Sequence, residues 1–384
     1  MLRDSLKGIK VMDFTAIGAG PNCTMTLADL GAEVIKVEPP SGELGRKLGP
    51  PWYGDDSPIY ICFNRGKKGI TLDLKLEIDR AAALELCLSA DVVVESYRPG
   101  VMKRFGLGHE TLCEAKPSLI YCSVTGFGQT GPMADEAGVD GIIQATSGLM
   151  SLIGVEGEEP CKVQAPIVDV TTGYIAAVGI LSRLAARHDE CFVGGHLDVN
   201  LLSCAMALQQ PAVTSYFGEG KVPRKIGSAA PYSAPNEAFE TSNGWIMVAA
   251  YIGDRWAKLC RVLGLPELID NPRLIDSSTR VNNRQAMHDA LAPAFRAKTT
   301  DEWVTLCKAG DILCAKVSDY DDLVVNEQVK HLGMIAKVKS STGDFSYSMP
   351  AFPINSREES GKGYTSPPNL GADNDEILKK SGGV

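Results

Sequence analysis

The strongest constraint on the fold is a regular alternation of short apolar and longer amphipathic segments over the first 126 residues. The apolar segments predict buried strands at 9–14, 33–38, 69–74, 91–97 and 119–126. The segments between them predict helices at 21–30, at 76–90 and, in two pieces, at 99–115. Strands joined through helices run parallel with right-handed crossovers. The sequence therefore predicts an α/β fold with helices on both faces of a parallel sheet and ligands at the carboxyl ends of its strands.

The second half of the chain changes character after one more helix and strand, expected at 171–188 and 195–200. Residues 237–250 predict a β-hairpin with Asn243-Gly244 at its turn. Helices are expected near 253–264, 279–296 and 300–309. A chain of 384 residues favours two to three domains. We therefore expect a large α/β domain over 1–220, a smaller α+β domain over 225–325, and a C-terminal segment over 330–384 that returns to the large domain.

Charge and composition argue against several classes of function. The net charge is −9, whereas binding of nucleic acid depends on a surplus of Lys and Arg. Apolar runs stay well short of the ~18 residues that span a membrane, and the N-terminus lacks the apolar segment of a signal peptide. The eleven cysteines contain no CxxC pair, which favours free thiols in the cytoplasm. We expect neither nucleic acid nor membrane as a partner.

Two glycine clusters leave a nicotinamide-dependent dehydrogenase open. Gly18-x-Gly20 follows the first strand, and Glu38 ends the second, where such enzymes place the acid that binds the ribose. The third glycine of the motif is missing, because Cys23 stands there. Residues 126–131 match GxGxxG, but no clear helix follows to hold a pyrophosphate, so we expect an accidental match. Tight strand-to-helix turns are the alternative for both clusters.

Motifs for other catalytic classes do not occur. The five histidines have no metal-ligand spacing, and the sequence contains neither a GxxxxGK[ST] loop nor a GxSxG turn. Basic residues do cluster near the predicted strand ends. The segment 96–106 holds Arg98, Lys103 and Arg104 without an acid, and 41–75 holds Arg46, Lys47, Arg65, Lys67, Lys68 and Lys75. A phosphorylated ligand is one interpretation, and ordinary solvated surface is the other.

Asp169 is the carboxylate most suited to chemistry. It lies in QAPIVDVTTGYIAAVG, between an extended segment and a long helix. It fits a helix N-cap, where the helix dipole would keep its pKa low. The same anion can attack an acyl centre and form a covalent intermediate. Asp140, in AGVDGIIQATSGL, is a second candidate, with a turn or cap as the alternative.

Eight segments, running from residue 6 to residue 378, together resemble the family III coenzyme A transferases, which include α-methylacyl-CoA racemases as a side branch. They are LKGIKVMDFTAIGAGPNCTMTLADLGAEVIKVEPPSGELGR, FNRGKKGITLDLK, ADVVVESYRPGVMKRFGL, SVTGFGQTGP, GVDGIIQATSGLM, QAPIVDVTTG, NGWIMVAA and PPNLGADNDEIL. The resemblance implies an α/β fold, with a Rossmann-like large domain and a smaller α+β domain, in an interlocked homodimer.

The resemblance also implies the site residues. Asp169 would be the catalytic nucleophile, and the reaction would proceed through an aspartyl anhydride and an aspartyl-CoA thioester. Coenzyme A would be a substrate, with no tightly bound cofactor and no metal. The implied partners are an acyl-CoA and a small carboxylic acid, a dicarboxylate such as succinate being one candidate. The implied CoA contacts are Ile17, Gly18, Leu72, Asp73, Leu74, Lys75, Ser96, Tyr97, Arg98, Arg104, Ala137 and Asp140.

Departures from the family pattern bear on the choice between transferase and racemase. The racemase branch has a histidine where this chain has Val139, and a glutamate where we align Ile252. Neither residue can move a proton, which disfavours racemisation. The formyl-CoA transferases have a glycine run that covers the site, and the corresponding segment KIGSAAPYSAPNEAF is short and lacks it.

Overall fold

The computed structural model describes residues 2–354 and 363–379. The chain forms two compact units. The first contains residues 1–150, 162–221 and 327–384, and the second contains 151–161 and 222–326.

The strands are β1 Lys10–Phe14, β2 Glu33–Glu38, β3 Lys68–Thr71, β4 Val92–Glu95, β5 Ile120–Thr125, β6 Gly195–Asn200, β7 Asn236–Thr241, β8 Gly244–Ala249, β9 Leu313–Lys316, β10 Ile335–Lys339 and β11 Ser346–Pro350. The helices are α1 Ala19–Asp29, α2 Pro58–Phe63, α3 Glu77–Ser89, α4 Val101–Arg104, α5 His109–Ala115, α6 Asp140–Thr146, α7 Ile167–Ala185, α8 Leu201–Leu208, α9 Gln210–Glu219, α10 Arg255–Leu263, α11 Ser277–Asn282, α12 Arg284–Phe295, α13 Thr300–Ala309, α14 Tyr320–Val325, α15 Glu327–Leu332 and α16 Asn374–Ile377.

The first unit is built on a parallel six-stranded sheet in the order β3-β2-β1-β4-β5-β6. This is the strand order of Rossmann sheets, in which the direction of winding reverses beside the first strand. The prediction of an α/β fold with a parallel sheet is confirmed. Ligand sites in such sheets lie outside the carboxyl ends of the strands, where the two halves diverge.

Helices cover both faces of this sheet because successive side chains of a strand point to opposite sides. Val11 and Val92 face a core shared with α1 and α7, whereas Met12 and Val93 face one shared with α3 and α5. The helices α1 and α7 pack closely at Gly173. A Cβ there would lie 2.6 Å from the carbonyl oxygen of Ala19, so only glycine allows this approach.

By length and composition alone, α7 could cross a membrane, with a mean hydropathy of 1.4 over its apolar window. The sequence predicted no such segment, because its apolar runs are shorter than ~18 residues. The buried side of α7, including Val168, Ala176 and Ile180, belongs to the core beneath the sheet. We therefore describe α7 as a core helix of the first unit.

The second unit is an antiparallel sheet in the order β7-β8-β9 with helices α10 to α13 packed on it. The predicted hairpin is present, but its two-residue turn is Ser242-Asn243, and Gly244 already pairs with Thr241. The single helix expected at 279–296 is two helices, α11 and α12, separated at Asn283. The prediction of a smaller α+β part is confirmed.

Ionised side chains are buried beneath the carboxyl end of β1. Asp13 and Lys67 are both fully buried and lie 2.9 Å apart. Thr24 Oγ1 donates a hydrogen bond to the same carboxylate at 2.7 Å. Although burial alone would raise the pKa of Asp13, the charges of Lys67 and Lys36 lower it to about 2. The carboxylate is therefore ionised at neutral pH and fixes the end of β1 to the segment before β3.

Removing one member of this pair should be costly. We expect Asp13→Ala to lower the free energy of unfolding by about 3–5 kcal/mol, because the buried Lys67 ammonium loses the carboxylate that forms its ion pair. The matched control is Lys68→Ala, which breaks exposed ion pairs with Glu33 and Glu376 and should cost less than about 1 kcal/mol. Denaturant unfolding at neutral pH measures both, and equal losses would contradict the prediction.

Candidate active site

A cavity of about 240 Å³ lies at the carboxyl ends of β1, β4 and β5. Its walls come from 16–20 after β1, 96–99 after β4, the end of β5 at 124–126, and the segment 134–139. Asp169 of α7 completes the wall. This is the position at which parallel α/β sheets hold ligands, because the loops leaving neighbouring strands diverge there.

The structure brings several of the residues named from the sequence into this cavity. Those lining it are Ile17, Gly18, Ser96, Tyr97, Arg98, Ala137 and Asp169. Asp140 is buried behind Asp169 and does not line the cavity. Leu72, Asp73, Leu74 and Lys75 follow β3, two strands away from β1 in the sheet, and Arg104 is exposed on α4. These five lie outside the cavity.

Asp169 stands in the first turn of α7, and the residue at the N-cap is Pro166. The interpretation of Asp169 as an N-cap is therefore wrong, because the helix begins four residues earlier than its apolar pattern suggested. Its carboxylate contacts the backbone of Gly18. A Cβ on Gly18 would clash with Asp169 Oδ2 and lie 2.9 Å from Asp169 Cγ. Glycine at position 18 thus creates the space that the carboxylate occupies.

Asp140 supports the start of α7 from outside the helix. Its Oδ2 accepts hydrogen bonds from the N–H groups of Val168 at 2.9 Å and Asp169 at 3.2 Å. Its Oδ1 accepts one from Gln144 Nε2 at 2.6 Å. Gln144 is itself tied to both backbone groups of Val163. Asp140 therefore satisfies two N–H groups that the first turn of a helix leaves without partners, and it fixes the backbone that carries Asp169.

This arrangement overturns the expected low pKa of Asp169. Burial, followed by the negative charge of Asp140, raises the pKa of Asp169 to about 7. The N–H groups that would have favoured its anion are instead bonded to Asp140. A carboxylate that is poorly solvated and more basic than usual is a stronger nucleophile once it is ionised.

The features that suggested a dinucleotide have structural roles. Glu38 accepts hydrogen bonds from Arg46 Nε and Arg46 Nη2, both at 2.7 Å, and is buried. It is therefore not open to a ribose. The residues after Gly126-x-Gly128 form turns, and the next helix begins only at Asp140. Gly126 instead meets Gly138, where a Cβ would lie 2.7 Å from the Gly138 Cα.

Most of the basic cluster at 41–75 forms ion pairs within the chain, and three of its side chains do so in the interior. Four of its side chains form ion pairs: Arg46 with Glu38 and Asp56, Arg65 with Asp29, Lys67 with Asp13, and Lys68 with Glu33 and Glu376. The interpretation of this cluster as a phosphate-binding surface is therefore wrong for Arg46, Arg65 and Lys67, whose ion pairs are buried. Within the cavity wall, Arg98 is the one cationic side chain among the described residues.

Sequence reasoning missed several residues of the site. The additional lining residues are Ala16, Ala19, Pro99, Val124, Thr125, Ala134, Glu136, Gly138 and Leu201. The sequence also did not single out Gln144, which binds Asp140. The spacing of four residues between them could have predicted this contact, because residues four apart lie on one face of a helix. Val139, which stands where the racemase branch has its histidine, lines the cavity and offers no proton. Within the parts of the chain that are described, no group of three or more His, Cys, Asp or Glu side chains could hold a metal ion.

Comparisons with known proteins show the family of this chain. Residues 6–374 match CoA-transferase family III. The chain is 36% identical over 377 residues to a human succinyl-CoA:glutarate CoA-transferase, covering 98% of this chain and 85% of that one. It is 39% identical over 306 residues to an acetyl-CoA:oxalate CoA-transferase of Acetobacter aceti, and the match covers 79% of this chain and 78% of that protein. A crystal structure of a CAIB/BAIF family protein from Brucella suis superposes on this chain with a TM-score of 0.84 at 32% sequence identity. The superposition covers 98% of this chain and 99% of that one. The chain belongs to family III of the CoA-transferases.

Proposed function

We propose that the protein transfers coenzyme A from an acyl-CoA to a small carboxylic acid through covalent intermediates on Asp169. The observation that carries the proposal is the contact between the Asp169 carboxylate and the backbone of Gly18 in the cavity. The Asp169 carboxylate therefore lies directly beside the N-terminus of α1. N–H groups at a helix N-terminus favour negative charge and are suited to the oxyanion of a tetrahedral intermediate.

The proposed reaction exchanges acyl groups without consuming another reactant. The Asp169 carboxylate attacks the thioester carbonyl, the C–S bond breaks, and CoA leaves as the thiolate from a mixed anhydride. The thiolate then attacks the aspartyl carbonyl, which releases the donor acid and leaves an aspartyl-CoA thioester. The acceptor carboxylate attacks that thioester, again giving an anhydride and free thiolate. Attack of the thiolate on the acceptor carbonyl forms the new acyl-CoA and restores Asp169.

We propose that CoA extends along the carboxyl-terminal edge of the sheet. Arg98 lines the cavity, Arg104 follows on α4, and Leu72, Asp73, Leu74 and Lys75 follow β3. Because β3 is three strands from β4, which Arg98 follows, roughly 14 Å separates these positions across the sheet. A long, charged substrate suits contacts spread over such a distance. Both relatives named above act on dicarboxylic acids by name, which favours a dicarboxylate as the acceptor.

The raised pKa of Asp169 predicts how activity depends on pH. Only the ionised carboxylate attacks, so kcat/KM should rise with pH and level off above about 7. Asp140→Asn removes the neighbouring charge that contributes to this pKa. We expect the midpoint of the profile to move to lower pH in this variant. Profiles recorded with one acyl-CoA and one acid test this, and an unchanged midpoint would contradict the role of Asp140.

We propose a homodimer located in the cytoplasm. The outer side of α7 exposes Tyr174, Ile175 and Val178, which share one face of the helix, and Val178 is 61% exposed. A second copy of the chain would cover this apolar face. The exposed free thiols of Cys161 and Cys191 favour a reducing compartment. Native mass spectrometry at nanomolar concentration tests the dimer, and a folded monomer would exclude an interlocked one.

The experiment that tests the function is a matrix of acyl-CoA donors and carboxylic acids, with products identified by mass spectrometry. New acyl-CoA that appears only when enzyme, donor and acid are all present supports the proposal. Two other outcomes would contradict the proposed CoA transfer and indicate a different activity. Uptake of deuterium at Cα of 2-methylacyl-CoA in D₂O, at several turnovers per second, would identify a racemase. A thermal shift with NAD and none with CoA would indicate a dehydrogenase.

A further inference from the structure

The loop between β1 and α1 contains an unusual backbone conformation. Ile17 has φ = 71°, in the left-handed region. A β-branched residue is strained there, and such strain persists only where the surroundings enforce it. The next residue is Gly18, whose backbone contacts the Asp169 carboxylate. The conformation of Ile17 therefore sets where the start of α1 lies relative to Asp169.

Glu43 holds this conformation from a different part of the chain. Its Oε2 accepts hydrogen bonds from the N–H of Ile17 at 2.8 Å and of Gly45 at 3.0 Å. Its Oε1 lies 3.1 Å from Lys36 Nζ. Glu43 is 5% exposed and Lys36 is fully buried. A charged acceptor held by a buried cation forms a stronger hydrogen bond than a neutral one.

The two residues before Ile17 are also fixed. Lys36 Nζ donates to the carbonyl oxygen of Thr15 at 2.9 Å, and Ser96 Oγ accepts from the N–H of Ala16 at 3.0 Å. Three consecutive residues thus each have a backbone group bound to a side chain from outside the loop. Glu43 is the member of this set that bonds the strained residue itself.

We propose that Glu43 is a positioning residue for the reaction proposed above, on which this inference rests. Glu43 does not line the cavity. It acts through Ile17, by keeping that residue left-handed and so keeping Gly18 and the N-terminus of α1 against Asp169. Without Glu43, relaxation of Ile17 to an ordinary φ would move Gly18 away from the carboxylate.

The test is a double-mutant cycle between positions 43 and 17. We expect Glu43→Ala to lower kcat by about 10–100-fold with a smaller change in KM, because the loop beside Asp169 is misplaced while the other proposed CoA contacts, at 72–75, 96–98 and 104, stay in place. Glycine adopts positive φ without strain. In the Ile17→Gly background, Glu43→Ala should therefore lower kcat by no more than about threefold. Equal losses in both backgrounds would overturn the proposal.

Two further variants separate positioning from general stability. Glu43→Gln keeps an oxygen that can accept the Ile17 N–H and should retain most of the activity. Asp29→Ala breaks another buried ion pair of the same unit, with Arg65, and Ile17→Gly should not rescue any loss it causes. If Glu43→Ala does not fold, Lys36→Met/Glu43→Ala replaces it, because it leaves no unpaired buried charge. It is then compared with Lys36→Met, since Lys36 also binds Thr15 of the loop.

Hydrogen exchange provides a readout that does not depend on catalysis. The peptide spanning 15–20 should exchange faster in Glu43→Ala than in the wild type, since the Ile17 N–H loses its acceptor. An unchanged exchange rate would show that Glu43 does not hold the loop. A wild type that exchanges as expected but transfers no CoA between any donor and acid would reject the proposed function while leaving the positioning of the loop intact.

Discussion

Asp169→Asn is expected to reduce CoA transfer by roughly 10⁴-fold or more, because the neutral amide cannot form the anhydride. Asparagine has nearly the same shape, so the contact with Gly18 and the first turn of α7 should persist. CoA binding should therefore remain, and the thermal shift caused by CoA should be close to that of the wild type. The loss would fall on kcat and leave the affinity for CoA largely unchanged.

Chemical trapping of the activated Asp169 carboxyl group tests the same prediction directly. Hydroxylamine added with an acyl-CoA should inactivate the wild type and leave a mass change on the peptide that contains Asp169. Asp169→Asn should show neither effect. Asp91→Asn serves as a control, since Asp91 accepts a hydrogen bond from the Lys10 N–H far from the cavity. Turnover by Asp169→Asn near the wild-type rate, with deamidation excluded by intact mass, would show that Asp169 is not the nucleophile.

Gly18→Ala should have the next largest effect, a fall in kcat/KM of about 10²-fold. The added methyl group would occupy the space of the Asp169 carboxylate, 2.9 Å from its Cγ. Either the carboxylate turns away or the start of α1 shifts. A displacement of about 1 Å in a reacting group is enough for a loss of this size.

The matched control is Gly218→Ala. A Cβ at Gly218, near the end of α9, would meet nothing within 4 Å. Alanine there should leave activity unchanged and, if anything, stabilise the helix by up to about 1 kcal/mol. Circular dichroism and thermal unfolding would show whether Gly18→Ala remains folded. A folded Gly18→Ala variant with full activity would mean that the observed approach of Asp169 to Gly18 is not needed for the reaction.

The sequence by itself determined the class of fold and pointed to Asp169 as the residue for the proposed chemistry. Strand and helix periodicity are local properties, because they depend on which of the nearest neighbours are apolar. The alternation over the first 126 residues was therefore enough to predict the parallel sheet. The sheet in turn predicted a ligand site at the carboxyl ends of its strands, where Asp169 and Gly18 are found together.

Only the tertiary structure decided the electrostatic state of these residues. Asp140 lies 29 positions before Asp169 and accepts a hydrogen bond from its N–H, which fixes the start of α7. Burial, followed by the charge of Asp140, raises the pKa of Asp169, which the helix position alone would have lowered. The same holds for Lys67, which pairs with Asp13 across 54 positions, and for Glu43, which holds Ile17. Charge interactions and burial depend on distances in space, and composition and periodicity carry no information on which distant residues the fold brings together.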